Sequence, residues 1–171
     1  VDQLPHHLAA YWLYGHQFML PIPDIDRTQY MMVLGANPMA SNGSLMTAPD
    51  MRTRLKALRE RGGKLVVLDP RETETATLAD EHLAILPGTD AAWLLSVIHT
   101  ILDDELARPG AWEPLLKGMD ALQAAVQAFS PEATAQHTGI DAVTTRRLTR
   151  ELAQAPSSVV YGRMGVSTQE H

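Results

Sequence analysis

The chain has 171 residues, and 45% of them are hydrophobic, which is enough for one sizeable core and excludes intrinsic disorder. Its formal net charge of −6 at pH 7 argues against electrostatic binding of nucleic acid or an anionic membrane, because such binding depends on clustered Lys and Arg. It contains no cysteine, which excludes disulfides, thiolate catalysis, iron–sulfur ligation and cysteine-type zinc sites from this segment.

We expect no targeting signal in the first residues of the given sequence. Residues from Val1 to Pro5 resemble neither a signal peptide nor a start at an initiator methionine, so we expect an internal boundary of a longer protein. No apolar run approaches the roughly 18 residues that a transmembrane helix needs, so we expect no membrane contact by this segment. The compartment stays open, and a cytoplasmic one is favoured.

The first predicted strand is the apolar run from Tyr30 to Leu34, which has the character of a strand buried on both faces of a parallel sheet. Residues 1–29 are predicted to be a short helix followed by a proline-rich loop. Small residues and Asn37-Pro38 follow the strand. Such a loop offers main-chain N–H groups that can bind a phosphate.

A helix and a second strand complete a strand–helix–strand unit. The helix is predicted to be capped at Thr47, with Asp50 three residues later, and to end at Gly62-Gly63. The second strand is Lys64 to Leu68, closed by Asp69-Pro70. The handedness of such crossovers makes the two strands parallel neighbours.

The rest of the chain is predicted to be mainly helical. A third strand spans 82–86, and Asp90 is predicted to be the N-cap of a buried helix from Ala91 to about Leu106. The further elements are helices over roughly 111–117, 119–129, 131–137 and 141–154, and a last strand over 158–162. The fold class is therefore α/β: a three-layer Rossmann-like domain with a mostly parallel sheet and a helix-rich C-terminal half, in a single domain over residues 1–171.

Polar loops at three strand ends are the candidate binding sites, because ligands of open parallel sheets bind at the carboxyl ends of the strands. Asp69 and Asp90 are acceptors suited to a ribose hydroxyl or a guanine edge. The same residues also serve as ordinary turn formers, strand stops and helix caps. No Walker lysine motif, no G-x-G-x-x-G and no zinc-type histidine pairing occurs, and His99 is expected to be a core histidine with its hydrogen bonds satisfied.

Four ordered motifs between residues 26 and 92 carry a family resemblance. They are Asp26-Arg27-Thr28 with Gly35-Ala36-Asn37-Pro38, Gly62 through Asp69-Pro70-Arg71-Glu72-Thr73-Glu74-Thr75-Ala76, Ala79-Asp80-Glu81-His82, and Pro87-Gly88-Thr89-Asp90-Ala91-Ala92. In this order and spacing they closely resemble the molybdopterin guanine dinucleotide oxidoreductases, the dimethyl sulfoxide reductase superfamily that includes formate dehydrogenases and nitrate reductases. The helical remainder to residue 171 is compatible with that family.

The resemblance implies a molybdenum or tungsten ion held by two molybdopterin guanine dinucleotides in the parent enzyme. It also implies which residues contact one nucleotide arm: Gly35, Asn37, Pro38 and Ser41 near the phosphates, Asp69, Arg71 and Thr73 around the ribose and guanosine, and Gly88, Thr89 and Asp90 with Asp90 at the guanine edge. The role expected for this chain is to hold that arm.

Enzymes of this family contain segments that this chain lacks, and this limits the activity expected of the chain alone. An iron–sulfur cluster is implied for the parent but not for this segment, and the carboxy-terminal pterin-binding domain is missing, so the chain alone is expected to be inactive. The partners are the remaining domains of the same subunit and an unspecified electron-transfer partner. The metal ligand of the family falls at or just before Val1, and we expect it in upstream sequence rather than at Asp2.

Two alternatives stay open at the level of sequence. One is a non-catalytic scaffold relative in a respiratory complex that has lost the metal. The other is a free-standing Rossmann-like binder of a different nucleotide. Neither the substrate nor the choice between molybdenum and tungsten follows from these residues.

Overall fold

The computed structural model describes residues 3–168, which divide into two compact units. The first unit takes the residues up to Ala84 together with those from Pro156 on, and the second is Ile85–Ala155. Within the described part, no helix combines the length and hydrophobicity needed to cross a bilayer. The expectation of a single domain over residues 1–171 stays a prediction.

A parallel sheet organises the first unit. Its strands in the described part of the chain are β1 (Tyr30–Leu34), β2 (Lys64–Leu68), β3 (Glu81–Leu83) and β4 (Ser158–Gly162), in the spatial order β3-β2-β1-β4. All pairs are parallel, and Leu34 at the end of β1 lies opposite Leu68 and Gly162. The carboxyl ends of β2, β1 and β4 therefore lie level at one edge.

Helices connect the strands of the first unit and form most of the second unit. Over residues 3–168 they are α1 (Leu4–Tyr14), α2 (Pro38–Ser41), α3 (Met51–Glu60), α4 (Glu74–Leu78), α5 (Asp90–Asp103), α6 (Met119–Val126), α7 (Pro131–Thr138), α8 (Ala142–Gln154) and α9 (Met164–Ser167), with short 3-10 turns at Ser44–Met46 and Gly110–Leu115. The predicted α/β class and the helix-rich C-terminal part are confirmed.

The core of the first unit packs α3 against the sheet. Met51, Leu55 and Leu58 recur at helical spacing on α3 and are fully buried. They join a cluster with the sheet residues Val33 and Val67. Burying each such leucine contributes about 2 kcal/mol of hydrophobic free energy, so the spacing on α3 anchors this helix to the sheet.

Strands β1, β2 and β4 match their predicted ranges, but the third strand is shorter than predicted. β3 ends at Leu83, whereas the prediction reached Leu86. The main-chain N–H of Leu86 donates to the carbonyl of Thr138, 2.9 Å away, inside the second unit. The apolar run 82–86 thus leaves the sheet halfway, because its later residues bond to a helix end instead of a strand.

The predicted start of α3 is wrong. The N-cap is Asp50, whose carboxylate accepts a hydrogen bond from the N–H of Thr53 at 3.4 Å. Thr47, the predicted cap, has a left-handed backbone with φ 45°. The helix begins later, at Met51, directly after Asp50.

The predicted start of α5 is wrong by one residue. Thr89 occupies the N-cap position without a side-chain cap, and Asp90 is the first helical residue. The Thr89 hydroxyl instead donates to the carbonyl of Leu86 at 2.7 Å.

Three helix extents in the second unit are also shorter than predicted. α5 ends at Asp103 and α6 at Val126. Pro114 lies inside the predicted helix over 111–117, and this segment forms the 3-10 turn Gly110–Leu115. Proline has no N–H to donate and clashes with a regular α-helix.

Candidate functional site

The loops that follow β1 and β2 lie side by side at the carboxyl edge of the sheet. The N–H of Gly35, the first residue after β1, donates to the carbonyl of Leu68, the last residue of β2, at 3.0 Å. The structure therefore brings together the predicted site residues that follow these two strands. Gly88, Thr89 and Asp90 belong to the second unit.

Position 35 requires a glycine because the main chain of α9 lies close to it. Its φ is 53°, and a Cβ at this position would lie 2.7 Å from the main chain of Gly165. The N–H of Gly165 donates to the Gly35 carbonyl at 3.0 Å. Gly165 was not among the predicted site residues.

Asn37 connects the loop after β1 to α4. Its Oδ1 accepts a hydrogen bond from the Thr75 hydroxyl at 2.8 Å, and its Nδ2 donates to a carboxylate oxygen of Glu74 at 2.7 Å. The hydrogen bond from Asn37 holds the pKa of Glu74 below its usual value. Glu74 and Thr75 lie within the quoted motif but were not predicted to be site residues. The sequence signal that could have indicated them is a carboxylate and a hydroxyl, those of Glu74 and Thr75, directly after the helix-capping residue Thr73.

The short helix α2 has few N–H groups left for an anion. Its N–H groups and those of its exit donate within the unit: Met39 to the Thr75 hydroxyl at 3.1 Å, Ala40 and Ser41 to the Asn37 carbonyl at 3.0 and 3.2 Å, and Gly43 to the Pro38 carbonyl at 3.1 Å. Proline has no N–H. Among the residues that the structure describes, the N–H groups of Ala36 and Asn37 lack a protein acceptor. The hydroxyl of the exposed Ser41 bonds the Asn37 carbonyl at 3.3 Å.

Asp69, Arg71 and Thr73 form the loop after β2. Oδ1 of Asp69 accepts the N–H of Arg71 at 2.9 Å, which closes a tight turn and leaves Arg71 exposed. Thr73 is buried and caps α4, where its hydroxyl oxygen accepts the N–H of Ala76 at 3.2 Å. The loop thus presents a carboxylate and a guanidinium next to a rigid helix start.

Gly88, Thr89 and Asp90 form the entry to α5 in the second unit. Gly88 has φ 81°, a conformation that favours glycine. Asp90 is only 3% exposed and lies in the first turn of α5, a helix of 14 residues. The amino end of a helix stabilises a carboxylate electrostatically.

The histidines form no metal site in residues 3–168, where no group of three or more possible ligands occurs. His6 lies at the carboxyl edge, with Nε2 3.2 Å from the Gly162 carbonyl oxygen. The expectation for His99 is wrong: its Nδ1 is buried without a hydrogen-bond partner in the described part of the chain, beside a cavity of about 510 Å³ between α5 and α6. Asp2 lies outside the described residues.

Comparison with known proteins settles the family. A model of the molybdopterin oxidoreductase family matches residues 4–129, which is most of the chain. The chain belongs to the molybdopterin oxidoreductase family. The resemblance inferred from the four motifs is thereby confirmed.

Members of the molybdopterin oxidoreductase family with different activities are similar to this chain. Formate dehydrogenase H of Escherichia coli is 31% identical over 85% of this chain and 20% of its own length. The molybdopterin-containing subunit of thiosulfate reductase from Salmonella typhimurium is 35% identical over 86% of the chain and 19% of its own length. The structure of acetylene hydratase from Pelobacter acetylenicus superposes with a TM-score of 0.75 at 28% identity, covering 86% of this chain and 20% of that one. The chain spans about a fifth of the length of these relatives.

Proposed function

We propose that this chain holds the guanosine diphosphate arm of a molybdopterin guanine dinucleotide within the catalytic subunit of an oxidoreductase. The parent protein is formate dehydrogenase-like or nitrate reductase-like, and its cofactor carries molybdenum or tungsten between two pterin guanine dinucleotides. When bound, the cofactor supplies the redox chemistry. The residues of this chain contribute binding and orientation, and the remaining domains of the subunit complete the site.

The observation that carries the proposal is the adjacency of the loops after β1 and β2 in a member of this family. The N–H of Gly35 reaches the end of β2, and the Asn37 side chain reaches α4, which follows the second loop. Ligands of open parallel sheets bind where such loops meet.

The donors and acceptors of the first unit fit a diphosphate and a ribose. The N–H groups of Ala36 and Asn37 and the exposed guanidinium of Arg71 suit phosphate oxygens. Oδ2 of Asp69 has no protein donor among the described residues and suits a ribose hydroxyl. Thr73 caps α4, so we assign it to holding the loop in shape.

In the parent protein, Asp90→Ala should reduce cofactor retention. Removing a carboxylate that faces guanine leaves its donors unpaired, which costs about 1–3 kcal/mol. The measurement is molybdenum and guanosine nucleotide content per purified protein. Asp141→Ala is the matched control, because Asp141 also lies at a helix start of the second unit and has no proposed cofactor contact. Equal nucleotide content in the two variants would contradict the role of Asp90.

Metal analysis separates the oxidoreductase from a scaffold relative that has lost the metal. We expect molybdenum or tungsten in the parent protein, and the absence of both would favour the scaffold. Calorimetric titration with GDP and ADP addresses the third reading, a free-standing nucleotide binder. A preference for ADP would argue against the guanine assignment.

A further inference from the structure

The loop after β1 takes its shape from contacts of one side chain with α4. The amide of Asn37 turns its oxygen to the Thr75 hydroxyl and its nitrogen to the Glu74 carboxylate, at 2.8 and 2.7 Å. Thr75 is fully buried. Its hydroxyl oxygen also accepts the N–H of Met39 at 3.1 Å, so one hydroxyl ties both the side chain of Asn37 and the first turn of α2.

The carbonyl of Asn37 is also engaged, because it accepts the N–H groups of Ala40 and Ser41 at 3.0 and 3.2 Å. Residue 37 therefore ties α2 to α4, because its carbonyl bonds α2 and its side chain bonds α4. The contact of Asn37 with Glu74 is a hydrogen bond to a charged acceptor, which is roughly twice as strong as a neutral one.

We propose that Asn37 is a positioning residue: its side chain holds loop 36–43 through Glu74 and Thr75, and only its main-chain N–H, with that of Ala36, faces the anionic ligand. The proposal rests on the proposed function for the identity of that ligand. The family resemblance placed Asn37 near the phosphates. Here its side-chain amide is turned toward α4 instead, so the side chain has a different role from a direct phosphate contact.

A charge swap separates positioning from direct contact. Asn37→Asp replaces the donor to Glu74 with a carboxylate, so two like charges meet and the loop loses its tie. Adding Glu74→Gln restores the contact in the opposite direction, since the Gln amide donates to the new Asp. The double variant has the same net charge as the native protein, so a general change of electrostatic potential is controlled.

The first readout does not involve nucleotide. Amide hydrogen exchange over residues 36–43 in the full chain should be about tenfold faster in Asn37→Asp, the change expected from losing a charged hydrogen bond, and should return to the native rate in the double variant. Unchanged exchange in the single variant, or no recovery in the double variant, would overturn the proposal. A failure of the proposed function leaves this readout valid.

The second readout is the guanosine nucleotide content of the purified parent protein. Recovery of both native exchange and native nucleotide content in the double variant supports positioning. If the double variant recovers the native exchange rate but not the native nucleotide content, the Asn37 amide contacts the ligand itself, and the proposal is overturned. Absence of nucleotide from the native protein contradicts the proposed function, and the exchange rates then decide the inference alone.

Thr75 supplies an independent variant with a matched control. Thr75→Val removes the hydroxyl that holds Asn37 and Met39, so amide exchange over residues 36–43 should become faster. Thr75→Ser keeps the hydroxyl and should exchange at the native rate. Thr149→Val is the control, because Thr149 is equally buried and its hydroxyl donates to Thr145 in its own helix. Equal exchange over 36–43 in Thr75→Val and Thr149→Val would count against the role of Thr75.

Discussion

At the carboxyl edge of the sheet, Gly165 and Gly35 approach each other more closely than any side chain allows. A Cβ on Gly165 would lie 2.6 Å from the Cα of Gly35, which is main chain and cannot move aside. Gly162, three residues earlier, has room, because its nearest neighbour would be a side-chain atom of Val166 at 3.5 Å. Neither Gly162 nor Gly165 has a positive φ.

Gly165→Ala should destabilise the protein by about 2 kcal/mol, the usual cost of forcing an extra methyl into a packed site. Gly162→Ala should change stability far less, because it meets only an ordinary contact. The free energy of unfolding in urea measures both variants. Equal losses would show that the close approach of α9 to β1 does not constrain residue 165.

A hydroxyl in the second unit satisfies the only polar atom of a buried tryptophan side chain. Trp93 is fully buried, and its indole N–H donates to the Thr145 hydroxyl at 3.1 Å. Thr145→Val should cost about 1–3 kcal/mol because the indole N–H is left unpaired. Thr145→Ser keeps the acceptor and should lose less. Chemical denaturation compares the two, and a Ser variant as unstable as the Val variant would contradict this reason.

Among the elements, three strands were predictable, whereas the starts of α3 and α5 were not. The runs 30–34, 64–68 and 158–162 are apolar and bounded by turn residues, and each forms the predicted strand. The start of α3 depends on the backbone conformation of Thr47 and Asp50, both at positive φ. Sequence patterns of caps allow several starts within one turn, and the tertiary packing selects among them.

Helix α7 is joined to α8 by an ion pair whose pH dependence can be tested. Arg146 donates two hydrogen bonds to the Glu132 carboxylate, both at 3.0 Å. These bonds lower the pKa of Glu132 and raise the pKa of Arg146. A carboxyl whose pKa is lowered by folding stabilises the protein above its unfolded pKa and loses that contribution as the pH falls through the folded value.

Glu132→Gln should therefore unfold at a lower temperature than the native protein at pH 7. The difference should shrink as the pH falls below about 4, where the native carboxyl also becomes neutral. Thermal unfolding at several pH values measures it, with the exposed Glu72→Gln as control. A difference that persists unchanged in acid would show that the ion pair is not the cause.

At the scale of the whole molecule, the amino-terminal segment 3–23 differs from the rest of the chain because it is uncharged and largely exposed. Residues 3–23 contain no Asp, Glu, Lys or Arg. Their large apolar side chains are mostly exposed, including Trp12 at 75% and Leu13 at 73%. Contiguous exposed apolar surface of this kind promotes association.

The chain studied by itself should self-associate with increasing concentration, and Leu13→Lys should reduce this association. Val143→Lys is the matched control, because Val143 is equally exposed, at 77%, but lies outside this segment. Sedimentation velocity at several concentrations measures the effect. The same reduction in both variants would indicate a general effect of charge instead of the apolar segment.

The amino-acid sequence by itself determined the α/β class, the parallel strands and the family, because apolar periodicity and four ordered motifs are local properties of the chain. The tertiary structure decided which side chains meet. The side chain of Asn37 bonds residues 37 and 38 positions away along the chain, and Gly165 lies 130 positions from Gly35. No local sequence pattern encodes contacts between residues so far apart. It also decided that Ile85–Leu86 leaves the sheet, because a main-chain bond to Thr138 replaces the strand pairing.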